Sequence, residues 1–323
     1  MAIVRILAGA LVLLSCPLAP SHAQSYPTKP VRYVVAFAAG DSPDIVARLV
    51  GERLGKIWNQ QVLVENRVGA GGTIAAAYVA KAPADGYTLF HCNIASSAIA
   101  PALYQKLPYD ALRDFSMVSR IATTSNVLLA HPSLPVKSVA NFVAYAKEHP
   151  GAISYGSPGV GTSPHLSMEL FKQATTVQVV HVPYKGAQPA LADLLGGQIP
   201  TMLANLPAML PHVVSGRARA LAVTSEKRSA QLPSVPTMIE SGIPGYVVTS
   251  WYGMCAPAGT PQLIVDKLHT DLLRALEAPE VQQRLSDLVI DIAPTSRDDF
   301  TAFIRSELTR WAKVVKDAGI PLQ

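Results

Sequence analysis

Strand-like and helix-like segments alternate along most of this 323-residue chain, and that alternation constrains its fold more than any compositional figure. Val31 to Phe37 is an apolar run. It is followed by a helical stripe of Val46, Leu49, Val50, Leu54 and Ile57. Val62 to Val64 reads as a second strand, Thr73 to Lys81 as an alanine-rich helix, and Tyr87 to Cys92 as a third strand. This βαβαβ order predicts a mostly parallel sheet covered by helices on both faces.

A similar run begins near residue 123. Val127 to Ala130 is strand-like, and Ser138 is placed to cap a helix carrying Phe142, Val143 and Ala146 on one face. Strands at Ile153 to Tyr155, Val177 to Val182 and Met202 to Ala204 alternate with helices over 165–174, 187–195 and 207–215. Arg219 to Thr224 is a further strand before the proline-rich stretch Leu232 to Pro244. Val247 to Ala256 is extended, and helices over 261–276, 279–287 and 297–317 finish the chain. The last bears Phe300, Phe303, Ile304, Leu308 and Trp311 at helical spacing, a core-facing stripe. The expected architecture is two α/β lobes, the first from 24–122 and 253–323, the second from 123–252. Linkers near 118–126 and 247–256 then form a double hinge, with a ligand between the lobes.

Residues 1–23 read as a cleaved export leader. Arg5 gives a positive start, Ile6 to Leu14 an apolar core too short for a stable span, and Ser21-His22-Ala23 a cleavage site. A rival reading ends the leader at Cys16, where Leu13-Leu14-Ser15-Cys16 loosely fits a lipobox and implies a lipid anchor. With 15% charged and 49% hydrophobic residues, the chain is globular rather than disordered. Its formal charge of +5, less one for Arg5 in the leader, is spread without the basic-aromatic clusters of a nucleic-acid groove. Cys92 and Cys255 lack metal-ligand spacing; export permits a bridge between them, and two buried thiols fit equally well. No cofactor is expected.

Three segments carry site-like chemistry. In Ala38-Ala39-Gly40-Asp41-Ser42-Pro43-Asp44, glycine allows the bend, Ser42 suits an N-cap, Pro43 suits the first helical position and Asp44 complements the dipole. A helix start of this kind presents unpaired amides that hold a carboxylate or phosphate. Ser157 to His165 repeats that logic in the second lobe, with Gly159, Gly161, Thr162 and Ser163 before a helix. His181 to Ala187 places Tyr184, Lys185 and another helix start nearby. Candidate contacts are therefore Ala39, Gly40, Asp41, Ser42, Asp44, Ser157, Gly159, Gly161, Thr162, Ser163 and His165, with Ser97, Tyr184 and Asn205 as selectivity positions. An enzymatic alternative is a superficial resemblance of Gly40-Asp41-Ser42 to the GDSL-type esterases, with Asp266 and His269 as acid and base. Against it, Asp266 and His269 fall in an amphipathic helical segment, and no oxyanion-hole block is present.

These segments resemble the exported solute receptors of tripartite tricarboxylate transporters, the Bug family, through almost the whole mature chain. The matching blocks include Ala38 to Arg48, Val64 to Arg67 with Gly69 to Gly72, Asp85 to Leu89 and Leu107 to Asp110. They continue through Ser157 to His165, His181 to Gly186, Leu194 to Gln198, Asn205 to Pro207 and Arg219 to Thr224. The last are Ser250 to Gly253, Ala256 to Pro261 and Trp311 to Val315. The resemblance implies a type II periplasmic-binding-protein fold, two α/β lobes joined by two crossover strands. It implies a small carboxylate ligand, delivery to a membrane permease, a periplasmic, monomeric receptor, and no reaction.

Three departures from the family pattern bear on the ligand. Asp41 stands where the family turn usually has a second glycine, and Pro200 and Ala204 stand where acidic residues are common. Ser96 and Ser97 add hydroxyls at the first-lobe edge. An extra carboxylate beside an anion site weakens a dianion, which leaves room for an aromatic acid or a monocarboxylate.

Overall fold

The computed structural model describes residues 26–323; the leader expected over 1–23, Cys16 included, lies outside them. β1 (Val31–Val35) leads through α1 (Ser42–Trp58), β2 (Val62–Asn66) and α2 (Thr73–Ala80) to β3 (Thr88–Asn93). After β3 comes a π-helical turn at Ala95–Ile99 and then α3 (Ala100–Leu103), a small-residue stretch with no stripe to announce it. β4 (Phe115–Ala130) carries the chain into the second lobe. There α4 (Val139–Glu148), β5 (Ile153–Ser157), α5 (Ser163–Thr175), β6 (Val179–Pro183) and α6 (Ala187–Leu195) follow. β7 (Thr201–Asn205), α7 (Leu206–Val214) and β8 (Arg219–Val223) complete it. β9 (Thr249–Pro257) returns to the first lobe, which closes with α8 (Gln262–Leu276), α9 (Pro279–Asp287), β10 (Asp291–Ile292) and α10 (Arg297–Asp317).

The strand order is β2-β1-β3-β9-β4-β7-β5-β6, with β8 and β10 also paired to β4. Parallel strand ladders form in β2-β1-β3 of one lobe and β6-β5-β7 of the other, the groups joined by helical crossovers. Around the crossing strands the pairing is antiparallel. β4 is the connector: Phe115 to Ser125 pair with β9, and Asn126 to Ala130 pair with β7 and β8. The return crossing lies just before Thr249, where the Val248 amide donates to the Thr224 carbonyl at 2.9 Å.

One buried core runs from Val34 and Phe90 of the first lobe to Phe142 and Tyr155 of the second, and each lobe adds a smaller core of its own. Val46, Val50 and Leu54 of α1 are fully buried with Leu268 and Leu272 of α8, while Leu49 and Ile57 pack at the margin. α10 turns Phe300, Ile304 and Trp311 inward. Buried Glu307 accepts from the indole N–H groups of Trp251 (3.0 Å) and Trp311 (3.2 Å), which ties α10 to β9. Cys92 and Cys255, left open by sequence reasoning, form a disulfide between β3 and β9.

Candidate functional site

The parallel strands of both lobes end at the cleft, so the helices that follow them start there with their amides facing inward. Phe37, Asp41, Ser42 and Pro43 reach the cleft from the β1–α1 turn, and Asn93, Ile94 and Ala95 from the end of β3. Pro158, Thr162, Ser163 and Pro164 face them at the start of α5, with Ala187 of α6 and Asn205 and Ala208 around the start of α7. Ser250 and Tyr252 of β9 complete the wall. The slot is a small cavity of about 20 Å³. The lobes are thus closed on a narrow slot.

Two helix starts offer free donors from opposite lobes. The amides of Ser42 and Ser163 find no acceptor among the described residues, and Pro43 and Pro164 have no N–H to compete. Ser42 is not the N-cap expected from the sequence. Asp41 holds that position without a side-chain cap bond, and the Ser42 hydroxyl is buried and unpaired. Thr162 does cap α5, accepting from the His165 amide at 3.4 Å. Beneath the slot, Asn205 Nδ2 donates to Asn126 Oδ1 (2.6 Å) and Ser250 Oγ (2.7 Å). Asn126 Nδ2 donates to Ser163 Oγ (3.0 Å) and Ser167 Oγ (2.8 Å), so the floor of the slot is a hydrogen-bonded network on the crossing strands.

Asp41, Ser42, Thr162, Ser163 and Asn205 therefore meet in one slot, and the other sequence candidates sit around it. Ala39 and Gly40 lie on the exposed outer turn. Asp44 points away from the slot: its carboxylate accepts from the Gly40 amide, Arg48 Nε and Asn66 Nδ2. Burial alone would raise its pKa, but these bonds outweigh that and hold it below the usual carboxylate range. Ser97 is buried against Ser96. Ser157 Oγ is 2.7 Å from His181 Nε2, and His181 stacks on His165, whose Nδ1 takes the Gly161 amide. Burial drives the pKa of His165 down to about 4 and of His181 to about 3, so this stack stays neutral and acts as a rigid backing. Gly159 and Tyr184 line a wider outer cleft, in which the Tyr184 hydroxyl donates to Asp193.

Sequence reasoning missed Asn93, Asn126, Ser250 and Tyr252. All four come from strands, and only period-2 alternation along β9, with Ser250 and Tyr252 on one face, hinted at the last two.

Asp41 crosses the cleft. Its Oδ1 accepts the Ala187 amide at 3.1 Å, and Gln188 Nε2 donates to the Gly40 carbonyl at 3.2 Å. Gly186 (φ +123) makes room, since a Cβ there would lie 3.1 Å from Ala38 Cβ and 3.2 Å from Asp41 Oδ2. Burial pushes the Asp41 pKa up to about 6, partly offset by the Ala187 amide. The closed form thus binds this proton more tightly than the unfolded chain does. Its cost to stability is full above pH 6 and fades as pH falls toward 4. Asp41→Asn should therefore gain about 2–3 kcal/mol relative to the parent between pH 4 and pH 7.5, read from denaturant melts. A pH-independent difference between the two proteins would contradict this.

Among the described residues no helix is long and apolar enough to cross a membrane. Residues 46–320 match the family described as tripartite tricarboxylate transporter family receptor. The chain belongs to that family. This receptor is 37% identical over 306 residues to BugT of Bordetella pertussis, covering 94% of each chain. A solved protein of R. palustris with adipate superposes on the receptor with a TM-score of 0.89 at 40% identity, covering 92% of this chain and 100% of that one. MatC from Rhodopseudomonas palustris, with bound malate, gives 0.86 at 34% identity, covering 90% and 100%. This chain's family is one of solute receptors, not enzymes, and the acid and base of the esterase alternative are engaged elsewhere. Asp266 is held by Arg297, and His269 Nδ1 meets the Val118 carbonyl.

Proposed function

We propose that this receptor closes its two lobes on a small organic acid in the periplasm and presents it, chemically unchanged, to the membrane permease of a tripartite tricarboxylate-type transporter. The observation that carries the reading is the convergence of the free Ser42 and Ser163 amides, one from each lobe, on one buried slot. Helix starts favour negative charge, and a carboxylate has two oxygens with which to span them. A guest that touches both lobes stabilises the closed state over the open one, which is how binding is converted to a shape the permease can sense. The adipate and malate in the two related structures support an acid as the guest. In this reading the contacts are the Ser42 and Ser163 amides with the side chains of Ser42, Thr162 and Asn205, and the receptor works as a monomer. In this reading the lobes are 24–122 with 253–323 and 123–252, hinged where β4 changes partners.

Thermal melts of refolded protein test it. Short-chain carboxylates should raise the melting temperature, and the corresponding methyl esters, which offer no charged head, should leave it unchanged. Equal shifts with acids and esters would falsify the anion site.

A further inference from the structure

Asp41 is an unusual lining for a slot that welcomes an anion. Its side chain is 3% exposed, and its two oxygens meet different fates. Oδ1 takes the Ala187 amide, so the start of α6 is already supplied with negative charge by the protein itself. Oδ2 is buried without any donor, and the Ser42 hydroxyl and Tyr252 hydroxyl are unpaired beside the same slot. A hydroxyl can donate or accept, but an ionised carboxylate oxygen only accepts. Arg48, the nearest cation in sequence, is committed to Asp44.

We infer that Asp41 selects the guest: the slot takes a monocarboxylate whose second polar group donates a hydrogen bond, as an ammonium, amide N–H or hydroxyl does, and it rejects dianions. This rests on the acid-receptor reading above and narrows it. Of the four helix starts at the slot, α6 is neutralised by Asp41, and the free Ser42 and Ser163 amides of α1 and α5, one from each lobe, suffice for one guest carboxylate. A second carboxylate placed near Asp41 meets a like charge in a site with little water to screen it. A donor in the same place completes the pairing that Oδ2 lacks, and leaving that acceptor bare is the costlier state. With a pKa of about 6, Asp41 is ionised at pH 7.5, the condition of the test.

The test uses calorimetric titration of the refolded protein at pH 7.5 with succinate, glutarate and adipate, with their monoamides, and with hexanoate. The tightest-binding monoamide should bind about a hundredfold more tightly than its diacid. Asp41→Asn, nearly isosteric, and Asp41→Ser should both shrink that ratio to within about fivefold, with melting curves confirming that each folds. Diacids binding the parent as tightly as monoamides would overturn the proposal. So would a ratio unchanged in both variants, or hexanoate matching the best monoamide. If acids bind but position 41 does not matter, only the selection by Asp41 falls. If no acid or monoamide binds any form, the acid-receptor reading falls with it.

Discussion

Ala208→Phe should abolish solute binding while leaving the protein folded. Ala208 sits in the first turn of α7, with its methyl group against the slot and its surface only partly buried. That slot is a cavity of only about 20 Å³, so a phenyl ring cannot enter the closed form without displacing its walls. The lobes then stay apart, and the amides of Ser42 and Ser163 no longer meet on one guest. The expected loss in affinity is at least about a hundredfold, measured by titration with whichever acid binds the parent best. Wild-type affinity in this variant would mean that the guest lodges elsewhere, outside the slot.

Removing the Cys92–Cys255 bridge should have the largest effect on stability. The two cysteines are 163 residues apart, and between them lie the whole second lobe and both crossings. Freed of that link, the unfolded chain gains the entropy of a very large loop, which on the chain-entropy account is worth about 5 kcal/mol and in practice about 2–4. A double Cys92→Ala, Cys255→Ala variant should melt about 5–10 °C lower than the oxidised parent. The reduced parent should move with it. An unchanged melting temperature in both would show that the bridge contributes nothing to the folded state.

The lobe architecture was legible because each βα unit carries its own periodicity. The α1 stripe and the α10 stripe point into cores as their spacing requires. Ser138 caps α4 through the Asn141 amide, as a serine before an apolar face should. β4 was legible only at its apolar end. Ser119, Arg120 and Thr123 to Asn126 read as linker because their polar groups are satisfied far away in sequence. Ser119 Oγ donates to the Thr295 carbonyl, Arg120 Nε to the Ala293 carbonyl, and Thr124 Oγ1 to the Val289 carbonyl. Tertiary partners turned an apparent hinge into strand. The same limit applies to the slot. Turn chemistry located Ser42 and Thr162, whereas Asn126 and Ser250 gain their meaning only from pairing across the crossing strands.

The crossing itself is a hydrogen-bonded ribbon, with Ser125 opposite Thr249 and Thr124 opposite Ser250. Ser250 looks into the slot, while Thr249 lines a groove on the far side between Ser225–Gln231 of one lobe and Gln282–Ile292 of the other. Twisting of such a ribbon would make the molecule a seesaw, in which jaws that shut in front draw the rear flanks apart. Dyes fixed at Lys227 and Gln282 would brighten or dim in opposite phase to occupancy, making the back of the protein a gauge for what its front is holding.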